Sequence, residues 1–316
     1  MEKISKAQVK FVRSLQLKKV RDAEGLFVAE GEKCVEELRR GFELVYYIQT
    51  AEKPTDRPAC GLTDRFADRA QTGLRPDRIL LATPAEIEQM SSLKTPQGVI
   101  GVFRKNVGLM NGDAAKPLNG GMMQDDLILV LDGVQDPGNL GTIIRTCDWF
   151  GVHEIVCSKD TADCYNPKVV QATMGALARV KVRYVDLVEW MSPLRLPHEG
   201  GEKVRIYGTL LDGKNMYEVL GNDGLINGDA SLNDGLMNGD ASLNGGMIPK
   251  VIIMGNEGNG ISAEVRKFIT DPIYIPTYPN KETSDVVESL NVSIATAIVL
   301  AEFRRPTQPY HEGEER

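Results

Sequence analysis

Short apolar runs alternate along this chain with segments whose apolar positions recur every three or four residues. The first pattern is that of buried strands and the second that of helices. Over the first hundred residues it predicts a helix around 5–20, a strand Leu26–Ala29, a helix Lys33–Arg40 and a strand Leu44–Gln49. A helix near 62–72 and a strand Arg78–Ala82 follow, then a capped helix start at Thr83-Pro-Ala-Glu-Ile and a closing strand Val99–Arg104. From residue 127 on, the predicted strands are Leu127–Leu131, His153–Cys157, Val180–Val185, Arg205–Leu210, Val251–Met254 and Ile273–Pro276. The helices between and after them are Thr142–Phe150, 166–178, Ser262–Phe268 and Leu290–Phe303. Near-continuous apolar strands alternating with helices imply an α/β fold, a parallel sheet covered by helices on both faces, preceded by a small α/β domain. Ligands of such sheets sit at the carboxyl ends of the strands. The last helix is apolar nearly all round (Val292, Ile294, Ile298, Val299, Leu300), which predicts burial. Its Ser293, Ala297 and Ala301 form a small-residue face that lets another backbone approach, within the fold or across a dimer.

Two segments break the pattern. Residues 224–234 (GLINGDASLND) and 235–245 (GLMNGDASLNG) are a tandem repeat, and 108–123 carries a degenerate copy. Each Asn-Gly-Asp is a turn signal, and one or two apolar residues per copy cannot offset the ordering entropy. We therefore expect disordered insertions at about 108–126 and 221–249, a first domain over 1–107, a second over 127–305 and a polar tail 306–316.

Composition narrows the classes. No apolar run approaches the roughly 20 residues of a membrane span, and the N-terminus has no apolar core of a secretory signal. Five cysteines without a C-x-x-C pair disfavour a disulfide framework or zinc knuckle and point to the cytoplasm. Three histidines are too few for a His-rich metal site, and no metal is expected. A net charge of −7 argues against a nucleic-acid binder taken whole. Yet residues 1–21 carry seven Lys/Arg against Glu2 alone. Lys3, Lys6, Lys10 and Arg13 are thus either contacts to a nucleic-acid backbone or a solvated helix face.

Three strand-end loops hold the candidate chemistry. After Leu131 comes DGVQDPGNLGTIIR, ending at Arg145; after Met254 comes Gly255-Asn256-Glu257-Gly258-Asn259-Gly260; after Ile275-Pro276 comes a polar loop ending ESLNVS at Ser293. The glycine loop lets backbone approach a ligand, and it is neither a Walker A loop nor G-x-G-x-x-G. Singly, each has a plain structural reading: a tight turn, an ion-pair partner at Arg145, core filling at Cys147, a helix cap at Asn291.

In their order, over residues 127–304, these motifs resemble the SpoU/TrmH class of RNA ribose 2′-O-methyltransferases of the SPOUT superfamily. FVAEGEK (27–33) and KTPQGV (94–99) resemble that class's small RNA-binding domain. The resemblance implies a C-terminal trefoil knot, S-adenosyl-L-methionine (AdoMet) as cofactor, a homodimer, and structured rRNA or tRNA as substrate. It places Gly255, Asn256, Glu257, Gly258, Gly260, Ile275 and Leu290 around the cofactor. Asn139, Arg145, Glu257, Ser289 and Asn291 would line the catalytic site. A catalytically inactive RNA-binding paralogue is the alternative; the intact Asn139, Arg145, Glu257 and Asn291 favour the enzyme. The stretch from Ile275 to Leu290 is longer than is usual in the class, which implies a partly remodelled pocket wall.

Overall fold

The computed structural model describes residues 2–50, 78–106, 127–195, 204–222, 250–278 and 289–305. The expected helix near 62–72, nearly all of both repeat insertions, most of the loop after Pro276 and the tail lie outside them. The chain divides into two compact units, one of residues 1–108 with 163–179, the other of 109–162 with 180–316.

The first unit is built on a mixed five-stranded sheet. Its strands are β1 (Glu2–Lys3), β2 (Leu26–Glu30), β3 (Leu44–Thr50), β4 (Ile79–Ala82) and β5 (Val99–Arg104), in the order β1-β4-β3-β5-β2. β1, β4 and β3 run parallel, and β5 is antiparallel to both its neighbours. Helices α1 (Lys6–Ser14), α2 (Lys18–Glu24), α3 (Glu32–Leu38) and α4 (Pro84–Met90) pack on it. One core joins Val9, Val12 and Leu15 to Ile48, Leu80, Ile100 and Val102, with Ile87 and Met90 from α4. Ser5 with Gln8, and Thr83 with Glu86, close reciprocal capping boxes at the starts of α1 and α4.

The single helix expected over 5–20 is two. The guanidinium of Arg21, 2% exposed, donates to the carbonyls of Leu15 and Gln16 at 3.0 and 2.7 Å, where α1 ends. It also pairs with Asp163 at 2.6 Å. A charged side chain thus satisfies carbonyls that continued helix would have bonded internally.

That pair belongs to a segment we had expected wholly within the second domain. Residues 163–179, with α6 (Pro167–Thr173), pack into the first unit. Tyr165 lies 4.8 Å from Phe27, ring to ring, and Phe27 stacks on Phe103 at 5.5 Å. Gly175, at φ +91°, abuts Glu37, where an added Cβ would come within 2.3 Å of that side chain. Replacing Arg21 by alanine should cost roughly 3–5 kcal/mol, because Asp163 would remain buried without its partner. Asp163→Asn, which can still accept a hydrogen bond, should cost less. Urea denaturation measures both; equal midpoints for Arg21→Ala and wild type would show that the pair contributes nothing.

The second unit carries the six-stranded sheet. β6 (Leu127–Leu131), β7 (Glu154–Ser158), β8 (Lys181–Val185), β9 (Ile206–Asn215), β10 (Lys250–Met254) and β11 (Asp271–Tyr274) take the order β11-β9-β10-β6-β7-β8. Every pairing is parallel, as the apolar runs predicted. Around it lie α5 (Pro137–Trp149), α7 (Leu187–Met191), α8 (Met216–Asn222), α9 (Ala263–Arg266) and α10 (Val292–Phe303). α7 and α8 were not expected, and α8 occupies the first two residues assigned to the second insertion. Ile128, Val130, Val156, Val251 and Ile253 share one core with Val265 and Phe268. Leu127, Leu129 and Leu131, the alternate positions of β6, are also fully covered, so the sheet is buried on both faces.

β6 to β8 advance to one side; the chain then crosses to lay β9 and β10 on the other. Adjacent β6 and β10 run in register from Leu127↔Lys250 to Leu131↔Met254. The loops after Leu131 and Met254 therefore leave neighbouring strands at the point where the sheet reverses its winding, the place such sheets bind ligands. β9 runs five residues beyond its expected end. Its register to β11 jumps from Gly208↔Pro272 to Lys214↔Ile273, and Gly213 meets Ile273 so closely that a Cβ would fall 2.5 Å from a backbone carbon.

Candidate active site

The site begins with α5, which starts five residues earlier than the apolar pattern suggested. Asp136 is its N-cap, its Oδ1 accepting the Asn139 N–H at 2.8 Å, and Pro137 occupies the first helical position. Asn139 therefore stands on the first turn of a helix and not in a loop. Arg145 lies six residues on, roughly 9 Å further along the axis. It is exposed and makes no hydrogen bond or ion pair among the described residues.

The glycine loop after β10 is held by Asn256. Its backbone exchanges two hydrogen bonds with Gly260, both 2.9 Å. Its Oδ1 accepts from the N–H groups of Gly258 and Asn259, and its Nδ2 donates to the Gly133 carbonyl at 2.7 Å. Side chain and backbone of Asn256 are thus both engaged in shaping the loop. Gly133, at φ +72°, is itself fixed by a 2.9 Å bond from its N–H to Ser158 Oγ. Asp132 accepts the Ser262 N–H at 2.7 Å and so ties the far end of the loop to β6. Asp132, Gly133 and Asp136 were quoted in the sequence without a role; the Asp-Pro pair ahead of a helical pattern is the signal that would have given Asp136 its cap.

Asn291 caps α10, as its place before an apolar helix suggested, accepting from Ser293 N–H and Oγ at 3.0 and 2.6 Å. Its Nδ2 donates to Asn139 Oδ1 at 2.9 Å, and Asn139 Nδ2 donates to Glu257 Oε1 at 2.5 Å. Residues 118 and 152 positions apart in sequence are joined in one chain. Its polarity has only one solution. An ionised Glu257 only accepts, so Asn139 must turn its nitrogen to it. Asn139 then presents oxygen to Asn291, which must donate nitrogen and keep oxygen for the helix N–H groups. α5 and α10 run side by side in the same direction, Arg304 closing their far ends by donating to the Phe150 and Gly151 carbonyls at 3.0 and 3.2 Å.

Of the other expected residues, Ser289 is exposed and makes no hydrogen bond among the described residues; Leu290 is 48% exposed, and Ile275 is half-buried just past β11. Cys147 is sealed in α5, where burial and the Asp148 charge push its thiol well up, so it fills core. α10 is not fully buried: Ile294 is 54% exposed. In the first unit, Lys3 lies on β1 and Lys6, Lys10 and Arg13 on α1, all exposed. No group of three or more His, Cys, Asp or Glu among the described residues could hold a metal ion, and no helix among them is long and apolar enough to cross a membrane.

The model of the SpoU rRNA methylase family matches residues 126–301, the stretch that contains all three loops, α5 and most of α10. The chain belongs to the SpoU rRNA methylase family. A second model, the MRM3-like substrate binding domain, matches residues 6–101. A TrmH-family protein from Porphyromonas gingivalis is 34% identical, its structure matching over 96% of this chain and 98% of its own with a TM-score of 0.67. The AdoMet-bound rRNA methyltransferase from Sinorhizobium meliloti is 26% identical over 96% and 97% of the two chains, again at 0.67. The 23S rRNA (guanosine(2553)-2′-O)-methyltransferase RlmP of Bacillus subtilis is 25% identical over 96% of this chain and 98% of its own. The methylase model thus brackets the site, and the substrate-binding model covers most of the first hundred residues.

The central asparagine gives a test of the site. Asn291→Asp keeps the cap oxygens, since Asp and Asn cap helices equally well. It leaves Asn139 between two carboxylates, to only one of which its nitrogen can turn. Folding stability should stay within about 1 kcal/mol, while turnover should fall roughly 10- to 100-fold through lost positioning. Unchanged turnover with unchanged stability would reduce the chain to a structural link.

Proposed function

We propose that the protein is an AdoMet-dependent RNA ribose 2′-O-methyltransferase acting on structured rRNA. The observation that carries this reading is the Glu257–Asn139–Asn291 chain, which unites the family's three motifs at the sheet's switch point. The residues present suit the cofactor: the glycine loop lets a ligand approach its backbone closely, and exposed Leu290 and half-buried Ile275 supply apolar surface for an adenosine. Gly255, Gly258, Gly260, Ile275 and Leu290 would hold it. When bound, AdoMet supplies a methyl group on a sulfonium.

The chain's own residues supply alignment and charge. Arg145 acts through charge and not as a base, because a guanidinium only donates hydrogen bonds. As a cation without a protein partner among the described residues it is available to pair with a phosphate and to stabilise the negative charge that develops on the 2′-oxygen. Asn139, Glu257 and Asn291 hold one wall of the site rigid, and Ser289 offers a hydroxyl beside it. Positioning of this kind supplies much of the rate in a simple transfer.

The rest of the reading follows from the same family. The chain carries the C-terminal trefoil knot, works in the cytoplasm where rRNA is processed, and needs no metal. The first unit, residues 1–108 with 163–179, serves as the substrate domain and the second as the catalytic domain. A homodimer is favoured by apolar surface left on the helices: Trp149 is 80% exposed on α5, and Ile294 and Ala301 are exposed on α10. Sedimentation as a monomer at micromolar concentration would rule the dimer out.

The deciding experiment incubates the protein and tritiated AdoMet with rRNA from cells lacking the gene. One ribose-methylated nucleotide is expected. Bound AdoMet with no label in rRNA or tRNA would favour the inactive paralogue instead.

A further inference from the structure

Among the described residues, two concave sites lie away from the motif loops. The larger, about 420 Å³ in the second unit, is lined by Arg205 and Asp271, which spend their charges on each other across 2.5 Å. The smaller, about 230 Å³, lies in the first unit between α1 and the sheet, lined by Ala7, Gln8, Phe11, Val12, Tyr46 and Leu80. It is smaller than the roughly 300–1,000 Å³ of a typical small-molecule site. Its character is that of a flat, half-polar guest. Phe11 and Tyr46 are only partly buried against the core. Gln8 Oε1 accepts the Ser5 N–H, but its Nε2 and the Tyr46 hydroxyl have no partner among the described residues. Lys6, Lys10 and Arg13 stand exposed on the same helix and form no ion pair among those residues.

We propose that this groove receives one unpaired nucleobase of the RNA substrate, stacked on Phe11 and Tyr46, while Lys6, Lys10 and Arg13 hold the phosphates on either side. The proposal rests on the reading of the protein as an RNA methyltransferase. Two aromatic side chains lining a groove suit the π-face of any base, and the Gln8 amide nitrogen and Tyr46 hydroxyl suit its polar edge. Cations on the adjoining helix suit a backbone that follows the groove. A base inside a duplex cannot enter, so the substrate domain selects unpaired nucleotides without reading much sequence.

The test uses the full-length protein, a mixed-sequence 12-nucleotide single-stranded RNA and a blunt duplex of equal length. Phe11→Leu with Tyr46→Leu keeps the groove apolar and removes the rings. It should weaken single-strand binding roughly tenfold, from stacking losses of 1–3 kcal/mol per base, and leave the duplex and the salt slope unchanged. Lys6→Gln with Lys10→Gln should weaken both ligands and flatten the slope. Ala7→Glu is a second arm: Ala7 is exposed on a helix, so the fold tolerates the change, while the new carboxylate at the groove mouth repels the strand. AdoMet binding and the melting midpoint confirm folding in each case. Single-strand affinity unchanged within about twofold in the ring and Ala7→Glu variants overturns the proposal, as does a wild type with no preference for single strands. If the wild type methylates rRNA and these variants match it, the groove assignment fails alone. If the wild type neither binds nor methylates RNA, the methyltransferase reading fails with it.

Discussion

Arg145→Ala should abolish methyl transfer and leave AdoMet binding as it was. The side chain is exposed on α5 and makes no hydrogen bond or ion pair among the described residues, so its loss removes nothing that holds the fold. Surface changes of that kind move stability by about 0.5 kcal/mol or less. Its effect is confined to charge that develops during reaction. Removing one preorganised stabiliser of a developing anion typically costs about 10²–10³ in turnover, and the phosphate contact adds to that. Arg145→Lys should recover only part of the loss, because an ammonium lacks the fork that grips a phosphate on two oxygens. Single-turnover methylation measures the first effect and calorimetry with AdoMet the second. Lost cofactor affinity in a folded Arg145→Ala protein would move Arg145 from the acceptor side to the cofactor side.

The parallel sheet was legible because β6 and β10 are apolar at nearly every position, which only a strand covered on both faces tolerates. The start of α5 was misplaced for the opposite reason. Its first turn, Pro-Gly-Asn, has no apolar periodicity, so only the capping chemistry of Asp136 marks it. That difference bears on function, since it turns Asn139 from a loop residue into a helical one with a fixed direction. The break between α1 and α2 was invisible because it depends on Arg21 meeting Asp163, a partner 142 residues away. Long-range charge pairs leave no periodic trace. The same limit applies to the site. Asn139, Glu257 and Asn291 could each be named from motifs, but their order in one hydrogen-bonded chain, and the use of Asn256 as loop scaffold, require the three strand ends to be in place.

The three glycines of the cofactor loop should respond to alanine in a graded series that geometry alone sets. At Gly255 an added Cβ would lie 2.3 Å from the Gly260 carbonyl carbon and 2.5 Å from the Ile261 nitrogen. Both are backbone atoms on the returning arm of the loop, and no side-chain rotation relieves the contact. The Asn256–Gly260 bridge must open or the arm must shift, carrying the Ser262–Asp132 bond with it. Overpacking of this order costs about 1–3 kcal/mol or more, here at the wall assigned to the cofactor, so AdoMet affinity should fall roughly a hundredfold. Gly260 has open space but sits at φ +67°, where a side chain is strained by about 1–2 kcal/mol. Gly260→Ala should therefore weaken AdoMet binding by roughly five- to tenfold. At Gly258 the nearest atom to a new Cβ is Asn256 Oδ1 at 3.5 Å, an ordinary contact. Gly258→Ala should bind AdoMet within about twofold of wild type, as surface changes away from such constraints do. Titration calorimetry on the three variants tests the ranking. Equal losses at all three would mean that the cofactor needs bare backbone along the whole loop, and that closure of the loop by Asn256 is not what sets its affinity.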